Sequence, residues 1–437
     1  MSESAGSAEH RTADIDVFAA LLQQNPGKAE LALKIIEENW EPGYAIMMLE
    51  LARATRERAR ATQILAVLNR ATGQDFGADA ELWYRWIWNQ PSEPHPKYGE
   101  FKAKLFSLID RQFGAYFRKT DSATIRLDEI RWGGVKRDGI PPLKNPDMIP
   151  ASEADYLDDS HVVFGVKIGD DARAFPKRIL AWHEMFKATI GGESVCGVYC
   201  TLCGSLIVYS TVVQDQHHEL GTSGFLYRSN KLMYDHATES LWSTLDGQPV
   251  VGPLVGQGIQ LASLNVVTTT WGEWRERHPQ TTVMSLDTGY ERDYGEGIAY
   301  KDYFATDELM FGVPNPDDRL ANKADVFVVR PNVDVAQDPL AIASEFLRQQ
   351  RVYHNQIGGK KFVVLTDASG AHRAYEAKDH QFDKFDSQQL MDKSGNPWSV
   401  SESALTSDSG AVLQRLPAHR AFWFGWVAQF PKSRLVK

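Results

Sequence analysis

The chain has 437 residues, 43% of them hydrophobic and 24% charged, with a formal net charge of −10. That length allows two or three domains with buried cores, and the acidic balance argues against nucleic acid or an anionic membrane as the main partner. Three cysteines are too few for a disulfide scaffold, no apolar run approaches the ~18 residues of a membrane helix, and the start, MSESAGSAEHRTADID, lacks the order of a signal peptide, so a reducing cytoplasm is the expected location.

Residues 1–12 read as a disordered leader. From 13 to 120 the apolar residues recur at helical spacing: Phe18, Leu21 and Leu22, then Leu31, Leu33, Ile35 and Ile36, then Ile46, Leu49 and Leu51, then Ile64, Leu65, Val67 and Leu68. Asn25-Pro26-Gly27 and Glu41-Pro42-Gly43 break them into short helices, and the stretch Ala71 to Trp88 resembles the end of a HEAT-type repeat. Its aromatic cluster, Trp83, Tyr84, Trp86 and Trp88, reads as core. A helical repeat would offer a protein partner a platform.

Residues 121–151 read as a linker, marked by Gly133-Gly134 and Pro141-Pro142. Beyond it the pattern changes to strands, short helices and turns, so the fold class is α+β: a helical HEAT-like domain, then a strand-rich domain. That second domain reads as two degenerate copies, 152–290 and 320–437, joined by a connection at 291–319. Gly191-Gly192 is echoed by Gly358-Gly359, Leu241-Trp242-Ser243 by Pro397-Trp398-Ser399, and Trp271, Trp274 and Pro279 by Trp423, Trp426 and Pro431. Aligned on the glycine pairs, Cys200 falls opposite Asp367 and Cys203 opposite Gly370, so only the first copy carries thiols.

All three cysteines lie in Ser194 to Ser210, SVCGVYCTLCGSLIVYS. The flanks are strand formers, and Cys200-Thr-Leu-Cys203-Gly204 reads as a tight turn closed by glycine. Two thiols on such a turn can share a metal ion or form a disulfide. Cys196, Cys200 and Cys203 also match the spacing of a radical S-adenosylmethionine iron–sulfur motif. Leu202 in place of an aromatic, the strand-like placing of Cys196 and the absence of βα repeats downstream weigh against a cluster. The strand after Cys203 removes the helix N-terminus that acidifies thioredoxin-like thiols, which leaves a zinc-knuckle lobe, a dithiol or two plain core cysteines.

Arg178-Ile-Leu-Ala-Trp-His-Glu184, Ile190-Gly-Gly192, Tyr199-Cys-Thr-Leu-Cys-Gly-Ser205, Gly221-Thr-Ser-Gly-Phe-Leu-Tyr227, Leu232-Met-Tyr-Asp235 and Thr238-Glu-Ser-Leu-Trp242-Ser243 together resemble the family called domain of unknown function 3179. The resemblance covers about residues 150–437 and departs from the family's Tyr-Cys-Pro-Leu-Cys-Gly at Thr201. Members of that family are sometimes labelled (seleno)proteins, which implies redox or metal-ligating chemistry at Cys200 and Cys203 but supplies no reaction. Cys196 is outside the family pattern.

For a metal, His183 is the first choice of third ligand, since imidazole with two thiolates suits zinc or copper(I). His419, across the proposed pseudo-dyad, and Met233 are further candidates, and Asp235 would orient a ligand from behind. His217-His218 reads as solvated loop and Gly221 to Gly224 as a bulged turn; His183-Glu-Met-Phe-Lys187 lacks the second histidine of a zincin. The leading expectation is a soft-metal redox enzyme using copper or zinc on Cys200, Cys203 and His183, with an unknown small-molecule or protein substrate. The alternatives are a metal-free dithiol oxidoreductase and a non-enzymatic helical scaffold with structural thiols.

Overall fold

A computed structural model of the chain describes residues 13–330 and 337–437. The expected leader at 1–12 lies outside the described residues. The chain folds as two compact units: residues 13–131 with the short returns Thr238–Ser240 and Val250–Gly256, and the remainder from Trp132 onward. No helix among the described residues is long and apolar enough to cross a membrane.

The first unit is helical. Pro26–Glu38 starts where the Asn25 side chain accepts hydrogen bonds from Gly27 and Lys28, and Arg58–Thr72 stops at Gly73 in the left-handed conformation. Tyr44–Ala54 is buried along most of its length and packs on Arg58–Thr72. Trp83, Tyr84 and Trp88 are core residues, whereas Trp86 is half-exposed. Inside this unit Glu50 and Lys102 form a buried ion pair at 2.8 Å, completed by the Tyr98 hydroxyl and the Ile130 carbonyl.

The second unit is strand-rich, and two of its sheets share one plan. In the first, Val267–Thr270 pairs antiparallel with Val162–Ile168, which pairs antiparallel with Asp171–Pro176, which pairs parallel with Thr282–Met284. In the second, Ala418–Phe422, Asp325–Val329, Leu340–Ala343 and Arg434–Val436 follow one another in the same order and with the same senses. Each third strand leads into a short helix, Lys177–His183 or Ser344–Gln349, and then into a hairpin meander. Each first strand leads into another helix, Trp271–Arg277 or Trp423–Val427.

Side chains repeat with the backbone. Trp274 Nε1 donates to Thr281 Oγ1 at 2.8 Å, and Trp426 Nε1 donates to Ser433 Oγ at 2.8 Å. The amide of Gly191 donates to Asp171 at 3.0 Å, and that of Gly358 donates to Asp338 at 3.0 Å. Alternation along the strands buries Phe164, Val166, Tyr199, Leu206 and Val208 in one core and Val326 and Val328 in another, where the helix residues Trp423 and Trp426 join them. Gly221 to Gly224, read as a bulged turn, lies inside the strand Leu220–Tyr227, whose register with Asn230–Asp235 shifts between Thr222 and Leu226.

Candidate functional site

Cys200 ends the strand Glu193–Cys200, and Ser205 begins its partner Ser205–Ser210. The intervening turn closes with the Cys203 amide on the Cys200 carbonyl at 3.1 Å. Gly204 has φ 60°, and a Cβ there would come within 2.9 Å of the Phe422 ring, so glycine is required both for the conformation and for the space. The turn is pinned from the far end of the chain by the Phe422 amide, which donates to the Cys203 carbonyl at 2.7 Å.

Four segments converge on the thiols. Cys200, Leu202 and Cys203 pack with Tyr303 and Val313 from the connection and with Phe424 and Ala428 from the C-terminal part. The Tyr303 hydroxyl donates to the Leu202 carbonyl at 2.8 Å. The fourth segment is the hairpin turn Arg228-Ser229, whose φ values of 47° and 66° are both left-handed without a glycine. Tertiary bonds hold it: Arg228 reaches the Ala428 carbonyl at 2.9 Å, Gln429 the Tyr227 carbonyl at 3.0 Å and Ser229 the Phe311 carbonyl at 3.1 Å. The Ser229 carbonyl in turn accepts from Cys203 Sγ at 3.4 Å. The connection 291–319, read as a simple joining segment, is therefore part of the site.

Both thiols are buried, at 2% exposure for Cys200 and 1% for Cys203, yet they differ in acidity. Burial pushes the Cys200 thiol up, but the hydrogen bond from Cys203, the Lys231 amide and the Lys231 charge outweigh it, and the group ends below its ordinary range. Burial pushes Cys203 well above its ordinary range, and the Cys200 sulfur, as acceptor and as charge, raises it further; its one hydrogen is shared between that sulfur and the Ser229 carbonyl. One sulfur is thus poised to carry charge while the other keeps its hydrogen. Lys231 is buried beside them, 3.0 Å from the Glu184 carboxylate and 3.0 Å from the Glu184 carbonyl. Glu184 caps the helix Lys177–His183 in the left-handed conformation, φ 55°, with its amide on Leu180. Cys196, four residues back along the strand, is pushed up to about 12 by burial and lies outside the cluster around the turn.

The other expected ligands are placed elsewhere. His183 is buried, but its Nδ1 faces the Pro141 carbonyl at 2.9 Å and its Nε2 faces the Tyr294 hydroxyl at 2.5 Å. A carbonyl only accepts, so Nδ1 carries the proton and Nε2 takes the tyrosine hydrogen. The ring lies against Tyr290, on the wall of a cleft of about 750 Å³ whose lining includes Pro141, Lys187 and His236 but neither thiol of the turn. Asp235 accepts from the Ala237 amide and from Trp242 Nε1, the turn-capping role that short acidic side chains take. Met233 is core, opposite Trp242 in the strand register. His419 sits opposite Val328 with its ring 6.3 Å from Trp426; Nε2 is buried without a partner, and burial depresses the group to about 3. Among the described residues no three His, Cys, Asp or Glu side chains converge to hold a metal ion. His218, expected in a solvated loop, is buried against Trp242, while His217 is exposed.

Glu184, Lys231, Ser205 and Asn230 were not singled out by sequence reasoning. Glu184 adjoins His183 in a stretch with several family-like residues, and Ser205 follows the cysteine turn directly. The signal lay in that adjacency, but nothing in the order of residues says which of two neighbours points at the sulfur.

Across the second unit, the place corresponding to the thiol turn is filled by charge. Arg373 is 1% exposed and reaches Asp367 at 2.6 Å, Glu402 at 2.9 Å and Glu273 at 3.2 Å; Glu402 also pairs with Arg415. Burial works against the Glu273 carboxylate, but Arg373 and Arg277 hold it down at about 2.

A buried dithiol turn in a strand-rich unit that carries two like-built sheets defines this as a thiol-bearing α+β protein. The family model described as "Protein of unknown function (DUF3179)" matches residues 137–433, most of the chain, and the chain belongs to that family. No curated protein and no solved structure matches it.

Proposed function

We propose that Cys200 and Cys203 are the reactive pair of a metal-free, thiol-dependent oxidoreductase. The observation that carries this reading is the asymmetry of the pair, one sulfur poised as thiolate beside Lys231 and the other retaining its proton. A thiolate is the nucleophile in thiol–disulfide chemistry, and a protonated neighbour is the resolving group. Cys200 would attack the oxidant, and Cys203 would then attack the Cys200 sulfur and close the disulfide.

A copper or zinc centre on Cys200, Cys203 and His183 has less support, because both nitrogens of His183 are already engaged. We also propose that 152–290 and 320–437 descend from one duplicated unit, the matched strand order and the paired tryptophan bonds being the support. The helices of 13–120 are then a HEAT-like platform for a protein partner in a cytoplasmic protein.

Equilibration in glutathione redox buffers, read by mass spectrometry, is expected to give a reversible Cys200–Cys203 disulfide with a single two-electron midpoint. Metal analysis of the same anaerobic preparation checks the competing reading. About one copper or zinc per chain, lost in Cys200→Ser/Cys203→Ser, would overturn the metal-free assignment.

A further inference from the structure

The thiol turn carries more hydrogen-bonding capacity than it uses. Cys200 stands directly opposite Ser205 in the hairpin register, which puts their side chains side by side on one face. Ser205 is wholly buried and its Oγ has no partner. Asn230 is buried next to Ser229, the residue whose carbonyl takes the Cys203 thiol; its side-chain amide faces the Cys203 sulfur and favours that sulfur's charged form, and Nδ2 has no other partner. Thr201 Oγ1, in the turn itself, is buried and unpartnered as well. A buried polar atom left unsatisfied costs about 1–3 kcal/mol, so three of them around one sulfur pair call for an explanation. Asn230 Nδ2 can only donate. A guest that meets it must accept hydrogen bonds, which describes an oxygen compound rather than a soft cation. The burial of both sulfurs keeps a protein disulfide out and requires a small guest.

We propose that this site takes hydrogen peroxide, or a hydroperoxide of similar size, as its oxidant, with Ser205 and Asn230 donating to the peroxide oxygens. The inference rests on the dithiol reading and names its substrate. The Cys200 thiolate attacks one peroxide oxygen, the O–O bond breaks, and the departing oxygen takes one proton from solvent as water or an alcohol. Cys200 is then a sulfenic acid. The Cys203 sulfur attacks it, the S–O bond breaks, and the hydroxyl leaves as water with the Cys203 proton. One peroxide is reduced by two electrons and two thiols become a disulfide. A small external thiol, itself oxidised to a disulfide, returns the pair to the dithiol by exchange.

The test compares two rates on the full-length reduced protein: oxidation by hydrogen peroxide and alkylation by iodoacetamide, each followed at Cys200 by mass spectrometry. Ser205→Ala and Asn230→Ala are expected to slow the peroxide reaction about tenfold while alkylation stays within about twofold. Cys203→Ser is expected to accumulate the sulfenic acid at Cys200, trapped by dimedone. Ser205→Ala removes a single oxygen atom and keeps the test open should Asn230→Ala not fold. Equal loss of both rates, or no loss of either, overturns the proposal. Should peroxide react no faster than with free cysteine while the disulfide still forms in glutathione buffers, the peroxide assignment fails and the dithiol reading stands. No disulfide under either condition removes both.

Discussion

At the scale of single residues, burial acts alike on every ionisable group and partners decide the outcome. Cys196 and Cys200 lie on one strand, two residues from being neighbours on the same face, and both are buried. Lysine charge favours the thiolate at both, Lys187 and Lys231 at Cys196 and Lys231 at Cys200, but only Cys200 has a thiol donor and the Lys231 amide beside it, and only Cys200 moves below its ordinary range. His419 shows burial without compensation. Its pKa in the folded protein is depressed from 6.5 to about 3, so the neutral ring stabilises the fold above pH 6.5. That contribution is lost as pH falls from 6.5 toward 3, because the unfolded chain binds the proton first. His419→Phe should therefore shrink the stability lost between pH 7 and pH 4 by on the order of 3 kcal/mol. Urea unfolding at the two pH values checks this; an unchanged difference would place the acid sensitivity on other histidines, His278 among them.

At the scale of elements, the helix Trp423–Val427 shapes the thiol turn by what it lacks. A Cβ at Gly425 would stand 2.9 Å from Cys203 Cβ and 3.0 Å from its Sγ. The corresponding position in the helix Trp271–Arg277 is Glu273, which reaches out to Arg373 instead. One helix has a glycine where a sulfur must sit, and the other has a carboxylate where an arginine must be met. Gly425→Ala gains about 1 kcal/mol of helix propensity but forces the turn to shift, at about 1–3 kcal/mol. The expected result is a net loss of up to about 2 kcal/mol together with slower alkylation of Cys200, since Cys203 can no longer hold its proton against it. Thermal unfolding and the alkylation rate measured on one preparation separate the two effects.

At the scale of the whole molecule, the C-terminal part has opposite contents at its two corresponding turns. The turn after Thr366 holds Asp367 in a dry network with Arg373, Glu402 and Glu273; the turn after Cys200 holds sulfur among aromatic side chains. A buried charge that loses its partners is strongly destabilising, by about 3–5 kcal/mol. Arg373→Met takes the cation from buried Asp367, while Glu402 keeps Arg415 and Glu273 keeps Arg277, and it is expected to lower stability by that amount. In urea unfolding the midpoint should fall, with the slope unchanged, while the thiols of the folded fraction keep their reactivity. An unaltered midpoint would show that the network is solvated and the charges are not stranded.

The amino-acid sequence by itself determined the class of fold, the hairpin that carries Cys200 and Cys203, and the family. Strand propensity, the glycine that closes the turn and the order of motifs are local properties, and local properties survive in a linear text. It also carried the paired signposts Gly191 and Gly358, Trp274 and Trp426, whose hydrogen bonds repeat in space. The tertiary structure alone decided which side chains meet the sulfur. His183 and Glu184 are adjacent, but one turns to Pro141 and Tyr294 and the other to Lys231, because the chain leaves the helix there in a left-handed conformation. Tyr303, Phe422 and Gly425 reach the thiols from more than a hundred residues away. No periodicity announces such contacts, since they are fixed by how two sheets and their helices pack and not by any neighbour in the chain.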